Sequence, residues 1–530
     1  MPASLTYPGV YIEELSSGVH TISGVSTSIA AFVGWAAQGP TDQATFVTSW
    51  GDFQAQFGGL DSRSYLGYSV NQFFANGGQQ AYIIRLVMDA ATAHKVPTTP
   101  APPIAIEVAK TAVNTPVDSP WKLFASSPGI WANAITVAIT PQPANSARFS
   151  LQVLLNSNPV ENFVNLSMAP ADPQFVFTVI NNDSQYVTFI DPSSPQSVLV
   201  PPTALPASTD TGFAALGNGA DGTVLVPGDG NFENAIFPEI IESATGVHQL
   251  DRVNIFNLLC VPGVTPVLNA YEVNTVQLLQ DYCASQRAFY IADGPQTVII
   301  RDYPSNGPGG ISTTKNAANS AFYFPWVLAA DPLAGNRPRS MPPCGFVAGV
   351  YAATDASRGV WKAPAGVDTG LTGALGLQYD LTDEATGLLN ALGANCLRNF
   401  KVFGNVVWGA RTLKGNDQFG SQWKYVPIRR LALFIESSLY DGTQWVVFEP
   451  NDEPLWSQIR MNVGAFLQGL FLQGAFQGTT PQQAYFVKCD AENNPQASIN
   501  LGIVNVLVGF APLYPAEFVV IQIQQIAGQV

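Results

Sequence analysis

Charged side chains are scarce in this chain of 530 residues. Asp, Glu, Lys and Arg together make up only 12% of the sequence, whereas about 25% is usual for a soluble domain. The apolar share is 47%, and the length allows two or three domains with hydrophobic cores of their own. This composition excludes a disordered chain. It also predicts that neighbouring molecules cover much of the folded surface.

Long apolar runs are also missing. No stretch reaches the ~18 consecutive uncharged apolar residues that a membrane-spanning helix needs. The first fifteen residues contain two glutamates and no Lys or Arg, so they do not have the basic and apolar regions of a secretory signal. We therefore expect cytoplasmic assembly, without a signal peptide and without direct insertion into a membrane.

Cysteine and histidine are rare. The cysteines are odd in number and widely spaced, which favours buried, reduced thiols over a disulfide or zinc framework; they are Cys260, Cys283, Cys344, Cys396 and Cys489. No His, Cys or Asp groups combine at the spacing of metal ligands. The glycine-rich stretch from Gly34 to Gly39 lacks the Lys-Ser or Lys-Thr end of a phosphate-binding loop. We predict no metal and no cofactor.

Positive charge is low overall but locally concentrated. The net charge of -15 argues against nucleic acid as a partner, because binding to phosphates needs clustered Lys and Arg. Residues 337–430, however, contain 11 basic and 6 acidic residues. Either these cations pair with acids inside the fold, or they contact an acidic surface of a partner. For the second case the leading candidates are Lys424, Arg429 and Arg430.

Hydrophobic periodicity predicts an α/β core interrupted by an insertion. The expected core elements are the strand Ser28–Val33, the helix around Leu66–Phe74, the strands Ala81–Val87, Val253–Val261, Ala288–Ala292 and Phe322–Leu328, and a helix over Pro266–Ser285. Two stretches rich in Pro, Ala and Thr flank the insertion and read as linkers. Between them we predict the strands Ile135–Ile139, Phe149–Leu155 and Phe175–Ile180.

The last part of the chain alternates helices and short strands. We expect helices over Glu384–Leu392, Pro427–Leu439 and Asp452–Leu472, and strands at Val406–Val407 and Trp445–Phe448. Alternating apolar residues without turn signals predict a terminal strand over Phe518–Gln525. Sequence alone leaves open whether the terminal strands pair in their own sheet or add to the sheet of a neighbour.

Several blocks, in the same order and spread over nearly the whole chain, resemble the tail sheath family of contractile phages, R-type tailocins and extracellular contractile injection systems. They include Tyr7–Glu14, Ser127–Gly129, Asn257–Gly263, Gly359–Gly366, Trp408–Thr412 and Phe448–Asp452. The family resemblance implies a subtilisin-like α/β core with a C-terminal α+β sheath domain, an inserted β-rich domain at the periphery, and extended terminal arms. The expected boundaries are 1–20 for the first arm, 21–95 with 236–375 for the core, 96–235 for the outward-facing insertion, 376–515 for the sheath domain and 516–530 for the second arm.

The resemblance also implies a function without catalysis. A sheath protein is one of many copies in a helical tube that surrounds an inner tube protein, with baseplate and terminator or cap proteins at its ends, and that contracts to drive the inner tube through a target envelope. Such a tube belongs to a phage tail or a tail-like particle, which is free, released on lysis or docked at a membrane. In this family, arms from different subunits join the sheet of a third. Here the exchanged residues would be Tyr7, Val10, Tyr11, Ile12 and Glu13, with Phe518, Val519, Ile521 and Ile523.

Two other functions stay open. A subtilisin-like hydrolase would need a Ser nucleophile, a His base and an Asp in mutual contact, but none of His20, His94 and His248 accompanies a Gly-x-Ser-x-Gly motif. We therefore predict no catalytic residue. A non-contractile tube or shell protein is the other alternative.

Overall fold

The computed structural model describes residues 20–88, 110, 123–142, 145–190, 214–238, 245–265, 270–296 and 314–522. These residues divide into two compact units. The larger unit comprises the described residues of 27–357 and 363–426, and the smaller unit comprises those of 20–26, 358–362 and 427–522. The predicted domain boundaries remain a prediction.

The β-strands are, in chain order, β1 Ala30–Trp35, β2 Thr45–Val47, β3 Ala81–Leu86, β4 Phe124–Ala125, β5 Ile135–Gln142, β6 Asn145–Leu155, β7 Asn158–Ser167, β8 Val187–Thr188, β9 Ala214–Ala215, β10 Leu258–Cys260, β11 Phe289–Asp293, β12 Ser320–Phe324, β13 Val327–Asp331, β14 Arg337–Met341, β15 Ala374–Leu377, β16 Ala394–Phe400, β17 Gly404–Val407, β18 Tyr485–Lys488 and β19 Leu507–Phe510.

The α-helices are α1 Trp50–Phe57, α2 Leu66–Ala75, α3 Val176–Asp183, α4 Asn231–Ile236, α5 Ala270–Ser285, α6 Cys344–Arg358, α7 Asp383–Ala391, α8 Val426–Gly442, α9 Glu453–Leu472, α10 Pro481–Ala484 and α11 Gln496–Asn500.

The larger unit is built on an eight-stranded sheet in the order β17-β16-β12-β11-β10-β1-β3-β2. The six inner strands pair in parallel, and the two edge strands pair antiparallel to their neighbours. All six residues of β1 are buried, as expected for a parallel strand covered on both faces. The predicted α/β class is confirmed, whereas the likeness to subtilisin remains a prediction.

The insertion has a hydrophobic core of its own. Its four-stranded antiparallel sheet has the order β7-β6-β5-β9, and its buried residues include Phe149, Leu151 and Val176. Residues 175–180 were predicted to be a strand, but 176–180 belong to a helix, α3. Val176 and Ile180, one helical turn apart, are the buried pair of α3. An apolar run this short does not distinguish the two periodicities.

Three other predicted strands differ from the structure. Residues 444–446 form a 3-10 helix instead of part of a strand at 445–448. The strand expected over 253–261 is limited to β10, because a 3-10 helix ends at Arg252 and residues 253–257 are irregular. The strand expected over 322–328 is two strands, β12 and β13, separated by Pro325 and Trp326. In each case local turn geometry interrupts an apolar run that looks continuous in the sequence.

The five cysteines are all buried and free. The prediction of buried, reduced thiols is therefore confirmed. Burial raises the pKa of the Cys283 and Cys344 thiols well above the usual range. Such thiols are poor nucleophiles, because the thiolate is the reactive form.

Candidate assembly surfaces

A two-stranded antiparallel ribbon in the smaller unit has open edges. It consists of β18 and β19, paired from Tyr485 opposite Phe510 to Lys488 opposite Leu507. Within the described residues no third strand joins this sheet. The outer edge of each strand therefore presents backbone N–H and C=O groups to which another chain can add a strand.

The inner face of the ribbon packs against the hydrophobic core of the smaller unit. Tyr485, Val487, Val508 and Phe510 pack against a hydrophobic core that includes residues of α9, and the hydroxyl of Tyr485 donates to Gln468 Oε1 at 2.8 Å. Helix α9 is suited to this role because Asp452 caps its first turn and its apolar residues recur along one side, as the sequence predicted. The ribbon is thus held in place before any partner arrives.

The outer face of the ribbon carries exposed apolar side chains beside Lys488, which pairs with Glu492. Phe486 and Leu507 are each 53% exposed. Gly509 lies opposite Phe486, and a Cβ at Gly509 would come within 2.2 Å of the Phe486 ring. The ring therefore covers the glycine, which fixes the pairing of the two strands.

The residues Phe518–Ile521, near the end of the described chain, form an exposed apolar segment; nearer to β19, Pro512 pairs with Phe476. Phe518, Val519, Val520 and Ile521 are 74–81% exposed, and residues 513–522 form no regular secondary structure. Both alternating faces of the segment are open, so its apolar side chains have no cover within the described chain. The segment has the composition of a strand and no partner strand of its own.

Several of the residues predicted to be exchanged lie outside the described part of the chain. Tyr7, Val10, Tyr11, Ile12 and Glu13 lie outside the described residues, and so does Ile523. Their role stays a prediction.

The predicted contact cations have intramolecular interactions. Lys424 Nζ lies 2.7 Å from Asp417 Oδ1, and Arg429 Nη1 lies 3.1 Å from Glu436 Oε1. The hydrogen bond from Lys424 is the main reason that the pKa of Asp417 is lowered. Arg430 is buried, with only 4% of its surface exposed. A contact between these cations and an acidic partner remains a prediction, and for Lys424 and Arg429 it would have to share an existing ion pair.

A small cavity lies at the place where an α/β enzyme usually binds its substrate. In an open parallel sheet that place is the crevice at the carboxyl ends of two neighbouring strands whose connections run in opposite directions, here β1 and β10. Tyr65, Leu225, Pro227 and Pro262 line a cavity there of only about 30 Å³.

Asp293, at the carboxyl end of β11, is a buried acid with a structural role. Burial raises its pKa to about 7. Its two carboxylate oxygens accept hydrogen bonds from the backbone N–H groups of Gly263 and Cys344. The carboxylate thus joins the loop after β10 to the first residue of α6.

The described histidines do not form a hydrolase triad. His248 Nδ1 lies 2.9 Å from Asp251 Oδ2, and the same carboxylate accepts from Tyr282. His20 stacks on Trp445 at 4.2 Å. His94 lies outside the described residues.

The described part of the chain has neither a metal-binding cluster nor a membrane-spanning helix. No group of three or more His, Cys, Asp or Glu residues there is arranged to hold a metal ion. None of the helices described combines the length and apolar character required to cross a membrane.

The chain is similar to known tail sheath proteins. Residues 419–526 match the model of the phage tail sheath C-terminal domain. A tail sheath protein of Vibrio phage KVP40 is 29% identical over 204 residues, which are 37% of this chain and 28% of that protein. A putative prophage major tail sheath protein of Pseudomonas aeruginosa is 27% identical over 276 residues, 51% of this chain and 65% of that protein. The resemblance to the tail sheath family is confirmed. This chain thus spans less than two thirds of the length of either relative.

Solved sheath structures show the same fold over nearly the entire chain. The sheath of an extracellular contractile injection system, PVC, in its contracted state has a TM-score of 0.57 at 23% identity, covering 99% of this chain and 98% of that one. The contracted helical sheath of the anti-feeding prophage has a TM-score of 0.57 at 22% identity, covering 98% and 100%. A sheath tail protein of Listeria innocua has a TM-score of 0.58 at 14% identity, covering 93% and 96%.

Sequence reasoning missed the β18–β19 ribbon. Its strands have four residues each, and turn residues such as Asn493, Asn494 and Asn505 separate them. A signal was nevertheless present, because Tyr485-Phe486-Val487 and Leu507-Val508 are strong strand formers. Strands this short rarely stand out from the surrounding loops.

Proposed function

We propose that this chain is the subunit of a contractile tail sheath. It polymerises helically around an inner tube protein, with baseplate and terminator or cap proteins at the ends, and contracts to drive the tube through a target envelope. The sheath relatives and the shared fold support the assignment. The observation that carries it is the presence in one unit of an open-edged ribbon and an exposed apolar segment, Phe518–Ile521.

In this proposal the N-terminal arm of one subunit and the C-terminal arm of a second subunit add strands to the β18–β19 ribbon of a third. Val519 and Ile521 would bury against the neighbour, and Val10 and Ile12 would do the same from the first arm. Each buried aliphatic side chain contributes about 1.5–3 kcal/mol, and each added backbone hydrogen bond contributes about 1 kcal/mol net. One arm thus supplies several kcal/mol to each subunit contact. A slip of one residue would turn the apolar side chains outward, which fixes the register.

Contraction in this scheme is a change of packing and requires no catalysis. A contact repeated by a rotation that does not close builds a helical filament, and a sheath is a filament with two stable packings. The subunits are assembled in the extended packing and release free energy when better lateral contacts form. The subtilisin-like core, the outward-facing inserted domain 96–235 and the final place in a phage tail or tail-like particle belong to the same proposal.

Removal of the second arm tests strand exchange. A chain truncated after Ala516 should remain folded, because the described elements end with β19 at Phe510, but it should not form long tubes. A chain truncated after Gln525 keeps the predicted strand and serves as the control. Circular dichroism measures folding, and electron microscopy of the purified proteins measures tube length. Normal, fully contracting sheaths from the shorter chain would refute the exchange.

A further inference from the structure

In the block Phe448–Asp452, the last two residues make hydrogen bonds that explain their presence. Asp452 caps α9 by accepting from Leu455 N at 3.4 Å. The Oδ1 of Asn451 accepts from Trp456 Nε1 at 2.9 Å, and its Nδ2 donates to Ile503 O at 3.0 Å. Both side chains thus hold the loop onto the smaller unit. The side chain of Phe448, by contrast, is not packed against the unit.

Phe448 combines full exposure with a strained backbone. Its exposed fraction is 102%, so its ring is as open to water as in an extended peptide, and its φ is +71°. A bulky residue in the left-handed region is a genuine outlier. Such strain persists only where the surrounding structure imposes it, and it is concentrated at functional sites.

The loop around Phe448 is held on both sides. The 3-10 helix 444–446 precedes it, Trp445 stacks on His20, and Glu449 N donates to Val446 O at 3.2 Å. Asn451 fixes the other end. The backbone at Phe448 is therefore held in one conformation before binding, which lowers the entropic cost of association.

The chemistry around Phe448 indicates its partner. Val447 is 58% exposed, and the exposed acids Asp441 and Glu449 are close in sequence, so the loop is apolar and acidic. A complementary surface occurs in this chain at the exposed turn between β16 and β17, where Lys401 is followed by Val402 and Phe403. These two apolar residues are 83% and 52% exposed.

We propose that Phe448 is an aromatic anchor that binds a second copy of this chain at the surface around Lys401–Phe403. This inference rests on the proposed function, since it requires many copies of the chain in contact. Aromatic side chains are the commonest anchors of protein interfaces, and the opposite charges of Glu449 and Lys401 fix the register of the contact. The contact is separate from strand exchange, because it uses side chains and no added strand.

Substitution of Phe448 by glycine separates binding from folding. Glycine tolerates φ of +71° without strain, so Phe448→Gly should leave the melting temperature unchanged or raised. The concentration needed for assembly of the purified chain should rise about 30-fold, equivalent to about 2 kcal/mol. Leu472→Ala is the control, because Leu472 is 76% exposed in the same unit but ends an ordinary helix; it should change assembly less than about threefold.

Charge exchange and cross-linking identify the partner surface. Glu449→Lys should weaken assembly, and Lys401→Glu in the same chain should restore it. A photoreactive benzoylphenylalanine at position 448 should cross-link, within assembled tubes, to a peptide from residues 394–407 of another copy. Unchanged assembly of Phe448→Gly would overturn the inference, and so would cross-links only to other surfaces or other proteins. In both cases, tubes formed by the wild-type chain would still uphold the proposed function. Failure of the wild-type chain to form tubes under any condition would instead refute the proposed function.

Discussion

Arg85 is a buried cation that attaches the insertion to the core of the larger unit. It is 1% exposed, and its guanidinium donates to the carbonyl oxygens of Ala36, Ala37, Gly39 and Pro128 at 2.6–3.0 Å. The first three belong to the loop after β1, and Pro128 belongs to the insertion. Burial lowers the pKa of Arg85 to about 9, so the side chain remains charged at neutral pH.

Arg85→Met should therefore destabilise the larger unit by at least about 3 kcal/mol, because each buried carbonyl left without a donor costs ~1–3 kcal/mol. Arg63→Met is a control, since Arg63 is 44% exposed and pairs with Asp61 and Asp221; its loss should cost about 1 kcal/mol or less. Urea titration followed by tryptophan fluorescence measures both. Equal losses for the two variants would contradict the role given to Arg85.

At the scale of elements, two glycines let α6 approach α2 closely. A Cβ at Gly345 would lie 2.4 Å from Ser69 O, and a Cβ at Gly349 would lie 2.7 Å from Phe73 O. Real Cβ atoms do not come that close to an oxygen, so any side chain at either position would push the helices apart. The four-residue spacing places both glycines on the same side of α6.

Gly345→Ala should destabilise the protein by about 1–3 kcal/mol through overpacking, although alanine favours a helix by up to ~1 kcal/mol. Gly387→Ala in α7 is the matched control in the same unit, because nothing lies within 4 Å of a Cβ at Gly387, and it should stabilise the protein slightly. Thermal unfolding distinguishes the two. A melting temperature that rises for both variants would show that the helices can separate freely.

The elements that could be predicted were those with strong local signals. Helix α9 has a capping Asp, a long apolar stripe and twenty residues; β1 is a continuous apolar run, and β3 is apolar except for Arg85. The strand at 175–180 and the strand at 445–448 were wrong because their short apolar runs fit either periodicity and tertiary packing decided the outcome. The ribbon was missed because strands of four residues depend on their neighbours for pairing.

At the scale of the whole molecule, the proposed arms connect each subunit to its neighbours. If the arms transmit motion, their length determines how far one subunit can move before the next is pulled. The sequence pattern predicted a terminal strand in the second arm, and the family resemblance predicted that the arm is exchanged. The pattern alone could not predict which sheet accepts the arm, because an open edge is a property of the folded sheet.

Insertion of six Gly and Ser residues after Ser16 should therefore permit assembly but impair contraction, because ~20 Å of slack would uncouple neighbouring subunits. The same six residues inserted after Gly420, in an exposed loop, should leave contraction intact. Electron microscopy of triggered particles measures the contracted length. Complete contraction with the lengthened arm would show that the arms do not couple the subunits.

The five buried thiols have a practical consequence. Because burial protects all five native thiols, a single cysteine placed on the surface would be the fast-reacting thiol of each subunit. Spin labels or fluorophores could then be attached at one chosen point without first removing any native cysteine. Distances between labelled subunits, followed through contraction, would reveal the path of the movement as well as its end points.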